Sequence, residues 1–224
     1  MPRQLKRFQP KGSKYVRKTQ DKHGQEIVKP LLKKDYDEMQ RICRNLQESS
    51  LKGSESYYRY ARDSILMHLG VNCGARITTL IELTWRDIMG GALTITEHKT
   101  GKRIQWQLND KVFAPIEKYV KEFGIHENQY LFTKSRKTDF PIRRETAWRR
   151  IKQYARKAGV KYPIGCHSLR KSYARWDWNE HHDLLRCSSL LNHEDPLTTM
   201  TYICLEKGDV QEARRQIDNT SKWL

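Results

Sequence analysis

Apolar positions change rhythm along the chain, and the changes mark its elements. Leu32, Tyr36, Met39, Cys43 and Leu46 recur at helical spacing, and "LKGS" at 51–54 breaks that helix. A second helix is expected from Glu55 to Leu69, with Gly70 as its stop. Ile77, Leu80, Ile81, Thr84 and Trp85 mark one face of a third. The period then drops to two. "ALTITEH" puts Leu93 and Ile95 on one side, "KTGK" is a turn, and "RIQWQL" alternates through Ile104, Trp106 and Leu108, which predicts a β-hairpin. A helix over Asp110–Phe123 ends at Gly124, and "YLF" at 130–132 is a short apolar piece. A basic helix is expected over 143–158 with Trp148, Ile151, Tyr154 and Ala155 facing inward. From His167 onward the pattern reads as short helices broken at "NHEDP" and "KGD". There is no internal repeat. The expected fold is mainly α with a small antiparallel β-sheet, an α+β domain.

Composition sharpens this picture. A chain of 224 residues with 37% hydrophobic positions, six Trp and eleven Tyr can bury a core as one domain or two small ones. No apolar run approaches the roughly 20 residues of a membrane span, and the first thirty residues lack an apolar signal core. A soluble, cytoplasmic protein without membrane contact is expected. The five cysteines (43, 73, 166, 187, 204) form no CxxC pair, which suggests reduced, mostly buried thiols and no metal centre.

Charge changes the picture most. Lys and Arg number 43 against 26 acids, a net +17. A domain this basic ordinarily meets a polyanion, and double-stranded DNA is the default partner. Residues 1–29 hold nine Lys/Arg and two acids and read as a basic arm; residues 30–224 read as the globular domain. The segment 134–157 holds ten Lys/Arg and two acids. Charge by itself gives affinity for phosphate and no chemistry.

Four stretches place polar residues beside apolar helical frames. "CGARITTLIEL" carries Arg76, "EHKTGKR" carries Lys99, "CHSLRKSYARW" carries His167 and Arg170 three apart on about one helical face, and "LLNHEDPLTTMTYI" carries His193 and, nine residues on, Tyr202. Each has an ordinary alternative: a solvated arginine, a hairpin-tip lysine in water, a structural HxxR pair, a core tyrosine. Together they complement one another. Two guanidiniums clamp a phosphate, two imidazoles donate to it or move protons, a phenol is a nucleophile if its oxyanion is stabilised, and a lysine protonates a leaving alkoxide.

In order and spacing these four stretches resemble the boxes of the tyrosine recombinases, the phage-integrase family. "GARITTLIELTWRDI" is similar to the first-arginine box, "ITEHKTGKRIQWQL" to the catalytic-lysine hairpin, "HSLRKSYARW" to the His-x-x-Arg box, and "LLNHEDPLTTMTYI" to the Leu-Gly-His…Thr-Thr…Tyr box. The resemblance covers roughly residues 30–224 and looks most like short, single-domain members such as the invertases that flip fimbrial switches. It implies Arg76, Lys99, His167, Arg170, His193 and Tyr202 as the catalytic set, with no cofactor or metal. It implies a 3′-phosphotyrosine intermediate, and a homo-tetramer working on two DNA sites, with DNA-bending host factors as further partners. Two departures stand out. The family commonly has an acid three residues after the first arginine, where this chain has Thr79; the Gly of Leu-Gly-His is Asn192, a residue that tolerates left-handed backbone. Two other readings stay open: a type IB topoisomerase, which uses similar tyrosine chemistry, and a non-catalytic DNA-binding regulator on the same fold.

Overall fold

The structure, a computed structural model, describes residues 27–96, 101, 103–193 and 196–203. Eight α-helices run α1 Lys33–Glu48, α2 Glu55–Cys73, α3 Ile77–Ile81, α4 Asp110–Phe123, α5 Arg144–Lys157, α6 Cys166–His181, α7 Leu184–Leu190 and α8 Pro196–Ile203 among these residues. Strands β1 Ala92–Thr96 and β2 Arg103–Gln107 form one antiparallel pair in which Leu93 faces Trp106 and Ile95 faces Ile104. The fold is mainly α with a two-stranded sheet, as the apolar rhythm predicts.

The central element is α2, which packs against α1, α3, α4, α5 and α6. Ser54 starts it by accepting the Tyr57 N–H, and Gly74, at φ 62°, ends it. Gly70 therefore does not stop the helix, and α2 continues to Cys73. Gly70 is there for packing: a Cβ would lie 2.6 Å from Leu169 Cδ1 on α6. The helix pair closes only where a side chain is missing.

One core gathers Leu66, Leu69, Leu80, Leu93, Ile116, Leu131 and Phe132 between α2, α3, the hairpin and α4. A second joins α1, α5 and α6 through Leu31, Met39, Cys43, Ile151, Tyr154 and Leu169. Between them lies a buried polar knot. Asp63 accepts from Arg62 at 2.7 Å, from Tyr154 Oη at 2.8 Å and from Arg150, and Arg62 also donates to the Thr133 carbonyl. A buried charge survives only when it is paired in this way. The knot fixes α5 and the 133–134 turn to α2.

Three further expectations change. The third helix is only five residues long; Thr84 instead bonds to Asp87 and bridges Tyr130, and Trp85 stacks on Phe113 at 5.9 Å. Trp148 is 48% exposed rather than inward, because Ala147, Ile151, Tyr154 and Ala155 already occupy the inner face of α5. The last third begins with a helix of 16 residues, α6, and not with a short one. The "KGD" break and Cys204 lie outside the described residues. The other four cysteines are free thiols, three of them buried.

Candidate active site

Arg170 sits on the first turns of α6, and its position follows from local sequence. Ser168 Oγ accepts the Gly165 N–H and closes the helix start. Leu169 fills the gap at Gly70, which turns Arg170 toward the end of α2. The residue is 4% exposed. Its Nη1 donates to the Gly74 carbonyl at 2.6 Å and its Nη2 to the Leu191 carbonyl at 2.8 Å. One arginine thus joins the turn after α2 to the turn after α7.

That second turn is made by Asn192, whose φ is 53°. Few non-glycine residues hold this conformation readily, and Asn is one of them. The substitution for the family's Gly keeps the turn: Asn192 N–H bonds to the Ser189 carbonyl and His193 N–H to that of Ser188. His193 then meets Arg170, with Nε2 3.2 Å from Nη2, while its Nδ1 lies 2.9 Å from Thr199 Oγ1. A guanidinium only donates, so Nε2 is the acceptor and the proton of a neutral His193 sits on Nδ1, pointing at Thr199. Thr199, fully buried on α8, is a site residue that the pattern of charges alone does not single out; its signal is the "TT" of the fourth box.

Tyr202 comes to the same place. Its ring centroid is 5.6 Å from the Arg170 guanidinium carbon, 4.9 Å from the His193 ring and 6.0 Å from the His167 ring. The next residue, Ile203, is buried, and Arg175 on α6 donates to its carbonyl. Helix α8 is therefore tied to α6 directly after the tyrosine and through His193 before it.

His167 is held below the usual imidazole range, first by burial and then by the charges of Arg170, Lys171, Arg76 and Arg144. It is a neutral ring at neutral pH in the free protein. Arg76 and Arg144 are thus among the cations whose field reaches it. Sequence reasoning missed Arg144; its signal is its position at the start of a basic helix. Arg76, partly buried, precedes the first residue of α3. With Arg170 it lines a cavity of about 240 Å³, walled by Cys73, Thr79 and Tyr173 and by Ile95, Ile104 and Trp106 of the hairpin. Thr79, buried where the family commonly has an acid, is on that wall. Burial pushes the Cys73 thiol up to about 12, so it stays a protonated, unreactive wall residue.

Five of the six expected residues are thus gathered around α6: Arg76, His167, Arg170, His193 and Tyr202. The sixth, Lys99, lies outside the described residues, although the strands leading to it border the cavity. Among the described residues no cluster of His, Cys, Asp or Glu has the makings of a metal site, and no helix is long and apolar enough to cross a membrane.

A mostly helical domain with a small hairpin and arginine, histidine and tyrosine side chains converging on one helix defines a class, the catalytic domain of the tyrosine recombinases. The phage integrase family model matches residues 32–208, and the chain belongs to that family. The probable integrase/recombinase YoeC of Bacillus subtilis (strain 168) is 32% identical over 153 residues, which cover 68% of this chain and 82% of that one. Tyrosine recombinase XerA of Pyrococcus furiosus is 30% identical over 155 residues, 68% of this chain. The chain spans about half the length of XerA, 53%. In fold it is similar to XerH site-specific recombinase bound to palindromic difH substrate, with a TM-score of 0.67 at 18% identity, over 91% of this chain and 57% of that one. It is also similar to the catalytic domain of bacteriophage HP1 integrase, with a TM-score of 0.53 at 18% identity, over 88% of this chain and 98% of that one.

Proposed function

We propose that the protein is a site-specific DNA recombinase that cuts and rejoins DNA through a 3′-phosphotyrosine intermediate. The observation that carries this reading is the convergence of the Tyr202 ring on Arg170, His193 and His167. Arg76 and Arg170 take the non-bridging oxygens of the scissile phosphate, where fixed positive charge favours the more anionic transition state. His193, oriented by Thr199, accepts from Arg170 and holds that guanidinium in the clamp. The Tyr202 phenol gives its proton to neutral His167 and its oxygen attacks phosphorus. A phosphotyrosine bond forms as the bond to the 5′ oxygen breaks, and Lys99 protonates the departing oxygen. The phosphodiester energy is kept in the new bond, so the step needs no metal or nucleotide cofactor. A 5′-hydroxyl from another strand reverses the step and rejoins the DNA.

Double-stranded DNA is held by the basic residues of 1–29 and by the exposed face of α5, mostly through phosphate contacts that set position rather than sequence. Recombination joins four strands, and the working unit in this reading is a homo-tetramer on two sites, with DNA-bending factors assisting. Val210, Ala213 and Ile217, in the part of the chain outside the described residues, give it an apolar stripe suited to contact with a neighbouring copy.

The test uses a pool of nicked duplexes of randomised sequence, incubated with the full chain in excess EDTA. The expected product is a protein–DNA species that survives denaturation and is joined to a 3′ end. Attachment to a 5′ end, or a need for metal, contradicts the scheme. Strand exchange between two copies of the captured site separates a recombinase from a topoisomerase, which would only relax supercoils.

A further inference from the structure

The segment entering α1 does not behave as the end of a loose arm. Lys29 N–H bonds to the Pro163 carbonyl at 2.8 Å and Leu32 N–H to Tyr162 Oη at 3.0 Å. Leu31 is buried; its N–H bonds to Ser172 Oγ at 2.8 Å, and its carbonyl accepts from Trp176 Nε1 at 3.0 Å. Val28 reaches the start of α6, with its Cγ1 3.3 Å from where a Cβ on Gly165 would lie. Its carbonyl accepts from Lys171 Nζ at 2.7 Å. Lys171 is only 7% exposed, an unusual position for a lysine. It directly follows Arg170 and lies one helical turn after His167, on the same side of the helix.

We propose that Val28–Leu32 is a strap that fixes α6, and that Lys171 is its anchor, a positioning residue that acts on DNA cleavage through His167 and Arg170. The inference rests on the recombinase reading given above. The strap bonds to three positions of α6, at Lys171, Ser172 and Trp176, and to the 162–163 turn before it. Helix α6 carries two members of the candidate site, so its placement sets the geometry of the phosphate clamp, and a shift of about 1 Å in such a clamp costs up to ~100-fold in rate. Lys171 has a second effect. Its ammonium is one of the charges acting on His167, along with Arg170 on α6, Arg76 before α3 and Arg144 on α5, and the Tyr202 ring of α8 faces the imidazole at 6.0 Å. Lys171 helps keep His167 neutral, the form needed to receive a proton. The strap continues in sequence into the basic residues 1–26.

The test compares three variants of the full chain. Lys171→Met removes the anchor and its charge, Lys171→Arg keeps a donor and the charge, and Trp176→Phe loosens the far end of the strap without touching the charge near His167. In Lys171→Met the amides of Lys29, Leu31 and Leu32 lose hydrogen-exchange protection. The His167 ring titrates at higher pH by NMR. Cleavage of the captured nicked duplex slows by about tenfold or more, while affinity for that duplex stays within about threefold, since many other basic residues hold it. Lys171→Arg restores rate and protection. Trp176→Phe slows cleavage without moving the His167 titration. The proposal is overturned if Lys171→Met keeps the wild-type rate or the strap's protection, or if its slowing only tracks a loss of folded protein seen by circular dichroism and Lys171→Arg fails to restore it. A wild-type chain that forms no covalent species sinks the recombinase reading instead; exchange and titration still decide whether the strap and Lys171 act on α6 and His167.

Discussion

Gly70 offers a test of how the fold positions the site. Replacing a helical glycine by alanine ordinarily stabilises a helix by roughly 0.5–1 kcal/mol. At Gly70 the sign should reverse. The new Cβ would stand 2.6 Å from Leu169 Cδ1 and 3.1 Å from its Cβ, closer than such atoms pack. Either Leu169 leaves its rotamer or α6 moves, and overpacking of this kind costs about 1–3 kcal/mol. The net expectation for Gly70→Ala is a loss of about 0.5–2 kcal/mol, equivalent to roughly 2–4 °C in Tm per kcal/mol for a chain of this size. Leu169→Ala alone leaves a cavity and costs about 2–5 kcal/mol. In that background the 2.6 Å contact is gone and only the 3.1 Å approach to the Cβ of residue 169 remains, so the cost of Gly70→Ala should shrink to about 1 kcal/mol or less. Urea denaturation of the wild type, the two single variants and the double variant measures the cycle. A rise in stability from Gly70→Ala in the wild-type background, or an equal effect in both backgrounds, would refute the close approach of α2 and α6 as the reason for the glycine.

Other expectations follow from single contacts. Arg170→Lys keeps the charge but cannot hold the Gly74 and Leu191 carbonyls together; urea denaturation should show a loss of about 2–4 kcal/mol, and wild-type stability would mean the guanidinium does not tie these turns. Asn192→Ala should cost about 1–2 kcal/mol by the same assay because of its left-handed backbone, whereas Asn192→Gly should be neutral or better. Changing Arg149, Lys152 and Arg156, all exposed on α5, to Gln should lower the slope of log K against log salt by about 0.9 for each phosphate that is no longer neutralised; an unchanged slope would remove α5 from the DNA-binding face.

Apolar rhythm made α1, the hairpin, α4 and α5 legible, since each buries one regular face. It failed where the determining contact is between elements. Gly70 carries a signal for a helix end, yet its cause is a neighbour far along the chain, Leu169. Trp148 fits the inner stripe of α5 by spacing, but other residues fill that face. The strap reads as the tail of a basic arm because Val28 and Lys29 have no pattern of their own; their bonds go to α6 and to the turn before it. Motif order pointed to Arg76, His167, Arg170, His193 and Tyr202, and the fold brings these together. Thr199 and Lys171 stayed hidden because each acts on another side chain, a relation that spacing does not record. Each did have one signal: the "TT" of the fourth box for Thr199, and for Lys171 its place four residues after His167.

Attack of Tyr202 on the phosphate is the step on which the proposed chemistry depends. The most direct measurement is covalent capture of a nicked duplex by Tyr202→Phe beside the wild-type chain, with duplex affinity measured for both. The expected result is a denaturation-resistant protein–DNA species from the wild type and none from Tyr202→Phe, with affinities alike. A covalent species that persists in Tyr202→Phe would contradict it.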